Sequence, residues 1–204
     1  MNLLEKTIGT IGALDQRAIE EAQTRLDNLL KPPGSLGRLE EIAKQLAGIT
    51  GVPGRQIREK AIIVMAADNG VTDEGVSSFP GEVSTLVAET MLKGISGVSV
   101  LSRHAGAILY VVDLGLKGNI SDSRIINRKI RPGTSNIVKG QAMSREEAVR
   151  AIETGIEVTN LAVDRGADLL GTGEVGIGNT TTSSAVLHVL TGASLDVNGG
   201  SFMP

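Results

Sequence analysis

The chain has 204 residues, of which 41% are apolar, 21% are charged and 26 are glycine, enough apolar material for one medium α/β domain or for one domain with a helical appendage. A net charge of -3 repels a phosphate backbone, and Tyr110, Phe79 and Phe202 as the sole aromatics offer no base-stacking platform, so nucleic-acid binding is excluded. The absence of cysteine excludes disulfides and thiolate chemistry, and neither His104 nor His188 stands in a metal-ligand spacing; no apolar run reaches the roughly 18 residues of a membrane span, and a cytoplasmic protein is expected.

Residues 14–31 place Leu14, Ile19, Ala22, Leu26, Leu29 and Leu30 near one helical face, ended by Pro32-Pro33-Gly34. A second helix is expected from an N-cap at Ser35 through Leu36, Leu39, Ile42, Ala43 and Leu46 until Gly48 and Gly51 break it. The pattern then changes: residues 61–67 (AIIVMAA) form a continuous apolar run of the kind seen in a strand buried on both faces. Similar runs follow at 107–112 and 167–170, with a weaker one at 125–130. Between them lie helices predicted over 81–104, loosened by Gly94 and Gly97, and from a capping box at Ser144 and Glu147 to about Val163. A last helix is expected from Asn179. Alternating strands and helices imply a three-layer, doubly wound, mainly parallel α/β sheet. Residues 1–55 read as a small helical portion and 56–204 as an α/β nucleotide-binding domain.

Three strands end in an acid, Asp68, Asp113 and Glu174, and in an open parallel sheet ligands bind beyond the carboxyl ends of the strands. The three carboxylates are therefore expected to face one cleft; acids that merely cap loops are the alternative. In the segment GTGEVGIGNTTTSSAV (171–186), Gly171, Gly173 and Gly176 match the dinucleotide fingerprint G-x-G-x-x-G, but Gly176 and Gly178 delay the helix to Asn179, which disfavours an oxidoreductase. The segment suits a phosphate cradle before a helix N-terminus, with Asn179, Thr180 and Thr181 as donors; a glycine-rich loop with an N-cap is the alternative. The loop at 68–84 is too long for a mere connector and points to substrate binding.

KPPGSLGRLE, ADNGVTDEGVSSFP, VVDLGL, RPGTSNI, AMSREEA and GEVGIGNTTTSSA occur here in one order over residues 14–192. In that order they resemble the nicotinate-nucleotide:dimethylbenzimidazole phosphoribosyltransferase family. The resemblance implies a doubly wound large domain, a small helical domain, a homodimer, and transfer of the phosphoribosyl group of nicotinate mononucleotide to a benzimidazole base in making the lower-ligand nucleotide of cobalamin. It implies no metal and no cofactor. Carried over by motif, Glu174 lies beside the base and ribose. Gly176, Gly178, Asn179, Thr180 and Thr181 surround the phosphate, and Ser78, Phe79 and Pro80 line the benzimidazole pocket, although Phe79 stands where members often have a small hydroxyl residue.

Members of that family continue well beyond a length of 204 residues and draw a principal glutamate, a lysine and several strands from that part, while the ending ASLDVNGGSFMP resembles nothing in it. The expectation is an exposed sheet edge with unpaired apolar helix faces, and a nucleotide-binding or dimerising remnant without activity is the alternative to an active transferase.

Overall fold

A computed structural model describes residues 2–195, which fall into two compact units, one up to Arg58 and one from Glu59 on. The first is helical. Helix α1 (Leu3–Thr10), absent from the sequence reading, is started by a capping box in which Asn2 Oδ1 accepts from the Glu5 N–H at 2.8 Å and the Glu5 carboxylate accepts from the Asn2 N–H at 3.1 Å. Helix α2 (Gln16–Asp27) is capped by Asp15, which accepts from the Ala18 N–H at 3.0 Å. It ends four residues before the predicted Lys31, because the segment before Pro32 turns instead and leaves Leu29 and Leu30 exposed.

Helix α3 (Arg38–Thr50) starts after Gly37 rather than at Ser35, and its Ala47 packs against Ala18 and Ala22 of α2. The intervening loop is tied by Glu40, whose Oε1 accepts from Lys31 Nζ at 2.8 Å and from the Leu36 N–H at 3.1 Å. Those two donors, the lysine first, hold the Glu40 carboxyl below the usual carboxylate range.

The second unit is a four-stranded parallel sheet in the order β3-β2-β1-β4, built from β1 (Lys60–Ala67), β2 (Ala107–Gly115), β3 (Ile126–Asn127) and β4 (Leu169–Val175). The doubly wound reading holds, with helices on both faces. On one face Val64, Ala66 and Val111 meet Ala88, Met91 and Leu92 of helix α4 (Val83–Leu92), beside which runs α5 (Gly97–Ala105). On the other face Ala61, Ile63, Tyr110 and Val112 meet Val158 and Ala162 of α6 (Arg145–Asp164). Helix α7 (Asn179–Thr191) follows β4. No helix of the described residues is long and apolar enough to cross a membrane.

Three elements differ from the sequence reading. The helix predicted over 81–104 is two helices, because Gly94 adopts φ +76° and Ser96 opens α5 as its N-cap. The strand predicted at 125–130 is a two-residue bridge. The strand predicted at 167–170 runs instead through Val175, so GTGEV is strand and not loop: Gly171 and Gly173 sit opposite Ile62 and Val64, and a Cβ at Gly171 would lie 2.5 Å from Ile62 Cδ1. β4 is one edge of the described sheet and exposes Thr172 and Glu174, while α7 exposes Val186, Val189 and Leu190.

Leu116, just past β2, is 0% exposed within the α4 cluster. Leu116→Ala should cost about 2–5 kcal/mol in urea unfolding, whereas Leu101→Ala, at an exposed position of α5, should stay within about 0.5 kcal/mol.

Candidate functional site

The loops leaving the carboxyl ends of β1, β2 and β3 converge on Asp68, the first residue after β1. Its N–H donates to Gly115 O at 3.0 Å, its carbonyl accepts from the Thr134 N–H at 3.0 Å, and its Oδ2 accepts from the Lys117 N–H at 2.6 Å. Around it the Gly133 N–H donates to Gly115 O at 2.8 Å, and the Gly70 N–H donates to Thr134 Oγ1 at 3.0 Å. Asp68 is 1% exposed, and its Oδ1 has no hydrogen-bond partner among the described residues.

The expectation of three acids facing one cleft does not survive the register. Asp113 stands opposite Ala66 and Glu174 opposite Met65; neighbouring strand residues point to opposite faces, so Asp113 lies on the α4 side and Glu174 on the α6 side. Asp113 is 2% exposed and engaged, its Oδ1 accepting from the Leu116 N–H at 2.9 Å and its Oδ2 lying 3.3 Å from the Lys129 ammonium. It is a loop-capping acid. Of the three, Glu174 alone is exposed; Asn179 Nδ2 donates to its Oε1 at 2.5 Å.

The turn from β4 into α7 is packed more tightly than a loop open to a phosphate. A Cβ at Gly176 would lie 2.1 Å from Ala67 O, so this glycine lets the turn press against the exit of β1. Gly178 adopts φ +80° as the N-cap of α7, and a Cβ there would meet Thr72 Cγ2 at 3.2 Å. The Ile177 N–H donates to Ser84 Oγ at 3.0 Å, its carbonyl accepts from Asn69 Nδ2 at 3.1 Å, and the Asn179 N–H donates to Gly176 O at 2.9 Å. The Thr180 N–H donates to Asn179 Oδ1 at 2.9 Å. The helix does begin at Asn179, but the amides of Ile177, Asn179 and Thr180 already have acceptors within the chain. Thr181 is half-buried in the first turn.

Ser78, Phe79 and Pro80 lie on the rim of the loop after β1, with Phe79 60% exposed. The base of that loop is fastened to the loop after β3: Asn136 Nδ2 donates to Glu74 Oε1 at 2.6 Å, and Lys139 Nζ lies 3.3 Å from the same oxygen. On the α6 face a small apolar cavity of about 60 Å³ is lined by Ala67, Leu114, Ile130, Met143 and Ala151, with Arg131 and Glu147 3.5 Å apart at its margin. The described residues hold no cluster of three His, Cys, Asp or Glu side chains able to bind a metal. Sequence reasoning singled out no role for Asn69, Ser84 or Asn136, since a lone amide or hydroxyl in a loop carries no spacing signal.

The Asn136 amide, and after it the Lys139 ammonium, hold the Glu74 carboxyl below its ordinary value of 4.5. With the folded value depressed, the contribution of this link is complete above that pH and is lost as acid takes the pH down through the lowered value. Asn136→Ala should move the Glu74 titration, followed by NMR, back up toward 4.5.

The family model described as phosphoribosyltransferase matches residues 11–201, so it continues past Gly192, where the motif resemblance stops, and takes in most of the ending that the sequence reading left outside the family. A nicotinate-nucleotide-dimethylbenzimidazole phosphoribosyltransferase of Ruminiclostridium cellulolyticum is 56% identical over 188 residues, covering 92% of this chain and 53% of that protein. One of Clostridium acetobutylicum is 50% identical over 193 residues, covering 95% and 55%. The crystal structure of the Thermus thermophilus protein of the same name superposes with a TM-score of 0.85 at 40% identity, covering 88% of this chain and 55% of that one. The chain thus spans about half the length of the curated relatives it matches. With most of its length matched by the family model and its parallel sheet superposed on a solved member, the chain belongs to the nicotinate-nucleotide-dimethylbenzimidazole phosphoribosyltransferase family.

Proposed function

We propose that the protein transfers the phosphoribosyl group of nicotinate mononucleotide to 5,6-dimethylbenzimidazole, giving α-ribazole 5'-phosphate and nicotinate, as a cytoplasmic homodimer. The observation that carries the reading is the 50–56% identity to relatives that bear the name of this activity. An azole nitrogen attacks the ribose C1 from the face opposite the nicotinate, the C–N bond to nicotinate breaks, and the pyridinium takes the electron pair and becomes neutral. The azole N–H proton must be removed as the new bond forms, and in-line attack requires a fixed sugar phosphate.

In this reading Glu174 stands beside the reacting centre, oriented through one oxygen by Asn179 while the other oxygen remains open to accept a proton. The start of α7, from Gly176 and Gly178 through Asn179, Thr180 and Thr181, faces the phosphate, where the helix field favours an anion. Ser78, Phe79 and Pro80 receive the benzimidazole on the rim. With the amides of Ile177, Asn179 and Thr180 occupied, that turn contributes through the field of the α7 N-terminus more than through direct amide bonds.

A protein carrying this chain at the whole length of its relatives should release nicotinate from nicotinate mononucleotide only when the benzimidazole is present. Glu174→Gln should lower that rate about tenfold or more, short of the roughly 10² to 10⁴ expected for loss of the principal glutamate that family members carry beyond a length of 204 residues. No nicotinate release from the full-length protein would contradict the assigned reaction, and an unchanged rate in the variant would contradict the role given to Glu174.

A further inference from the structure

The loops that leave the carboxyl ends of the strands carry six basic side chains: Lys117 and Arg124 after β2, then Arg128, Lys129, Arg131 and Lys139 after β3. Five of them are engaged. Arg124 lies 2.6 Å from Asp122, Arg128 3.6 Å from Glu157, Lys129 3.3 Å from Asp113, Arg131 3.5 Å from Glu147 and Lys139 3.3 Å from Glu74. Lys117 is the exception: among the described residues no carboxylate lies within ion-pair distance of its Nζ.

The backbone and stem of this lysine are nevertheless held in place. Its N–H donates at 2.6 Å to Asp68, a fully buried carboxylate. Its Cε lies 3.2 Å from where a Cβ at Gly133 would stand, so the stem crosses that glycine, whose own N–H is bound to Gly115 O. The next residue is fixed as well, since a Cβ at Gly118 would lie 2.6 Å from Thr85 Oγ1 in the first turn of α4. A lysine whose backbone is tied to Asp68 and whose stem lies over Gly133 starts from a better defined position than one on an untethered loop, and loses less entropy on binding. The loop after β1, on the other side of Asp68, carries Asp73, Glu74 and Glu82 and no basic residue. Among the described residues, Lys117 is therefore the one basic side chain of these loops with no carboxylate already within ion-pair distance.

We propose that Lys117 binds an anionic group of the nucleotide substrate, either its 5'-phosphate or its nicotinate carboxylate. The inference rests on the proposed function, because the substrate named there carries both groups. It also meets a need left by the turn into α7, where the amides of Ile177, Asn179 and Thr180 are already bonded within the chain. Asp68 is the positioning residue, acting through the Lys117 backbone.

The test is calorimetric binding of nicotinate mononucleotide, nicotinate riboside and nicotinamide mononucleotide to the protein and to three variants. Lys117→Met, which keeps the stem and removes the charge, should weaken nicotinate mononucleotide about 10- to 100-fold, the effect of losing a hydrogen bond to a charged group. Lys117→Arg should retain most of the affinity. Lys60→Met, at the opposite end of β1, should leave it unchanged. If the phosphate is the bound group, nicotinamide mononucleotide weakens with Lys117→Met and nicotinate riboside does not; if the carboxylate is, the two exchange behaviour. Either pattern supports the proposal. Affinities of Lys117→Met within about twofold of the unmodified protein for all three compounds would overturn it, since an exposed, unpaired lysine contributes little beyond that. No binding of nicotinate mononucleotide to the unmodified protein would overturn the functional reading itself, and this inference with it.

Discussion

One buried carboxylate organises the end of the sheet at which a ligand would bind. Asp68 leaves the central strand and bonds through its N–H to Gly115, through its carbonyl to Thr134 and through Oδ2 to Lys117, so the loops after β1, β2 and β3 share a single junction. Placing a carboxylate at 1% exposure is costly, and here the Lys117 N–H meets Oδ2 while Oδ1 has no partner among the described residues. Two of these bonds are made by the backbone of residue 68, and the carboxylate adds the third, to the loop after β2. Lys117, Gly133 and Thr134 are fixed by the same junction, and the cation proposed to meet the substrate inherits its position from it.

Much of the architecture was legible because it follows from strong local patterns. Continuous apolar runs at 61–67 and 107–112 read as strands buried on both faces, and Ser144 with Glu147 announced α6. Where β4 and the 81–104 segment differ, a local signal was outvoted by its neighbours. Gly171 and Gly173 look like loop residues, yet they continue β4 paired with Ile62 and Val64 of β1, and at Gly171 the Ile62 side chain takes the space that a Cβ would need. Gly94 looks like a weak point in one helix and is instead the end of one before the start of another. Helix α1 escaped notice because it buries no residue and is marked only by the cap between Asn2 and Glu5.

The site was legible in its location and less so in its chemistry. That strand-end acids mark the carboxyl edge followed from topology, but which face each occupies depends on a register that sequence does not encode one residue at a time. Asp113 and Glu174 differ by one step against β1, and that step separates a structural cap from an exposed carboxylate. The glycines of the turn into α7 read equally well as phosphate contacts; the distances from Gly176 to Ala67 and from Gly178 to Thr72 give them a packing duty as well. Family membership then narrows what an exposed glutamate and an unpaired lysine at such an edge are suited to do.

The claim that Asp68 is the junction of these loops is tested most directly by amide hydrogen exchange in the protein and in Asp68→Ala. In the unmodified protein the N–H groups of Lys117, Gly133 and Thr134 should be protected together, well above that of exposed Gly140. In the variant protection at Lys117 should vanish and that at Gly133 and Thr134 should fall, while Ile63 and Val111 in the middle of the sheet stay protected. Protection at Lys117 that is unchanged by the loss of the carboxylate would show that the loops hold themselves, and that the buried acid does not organise the site.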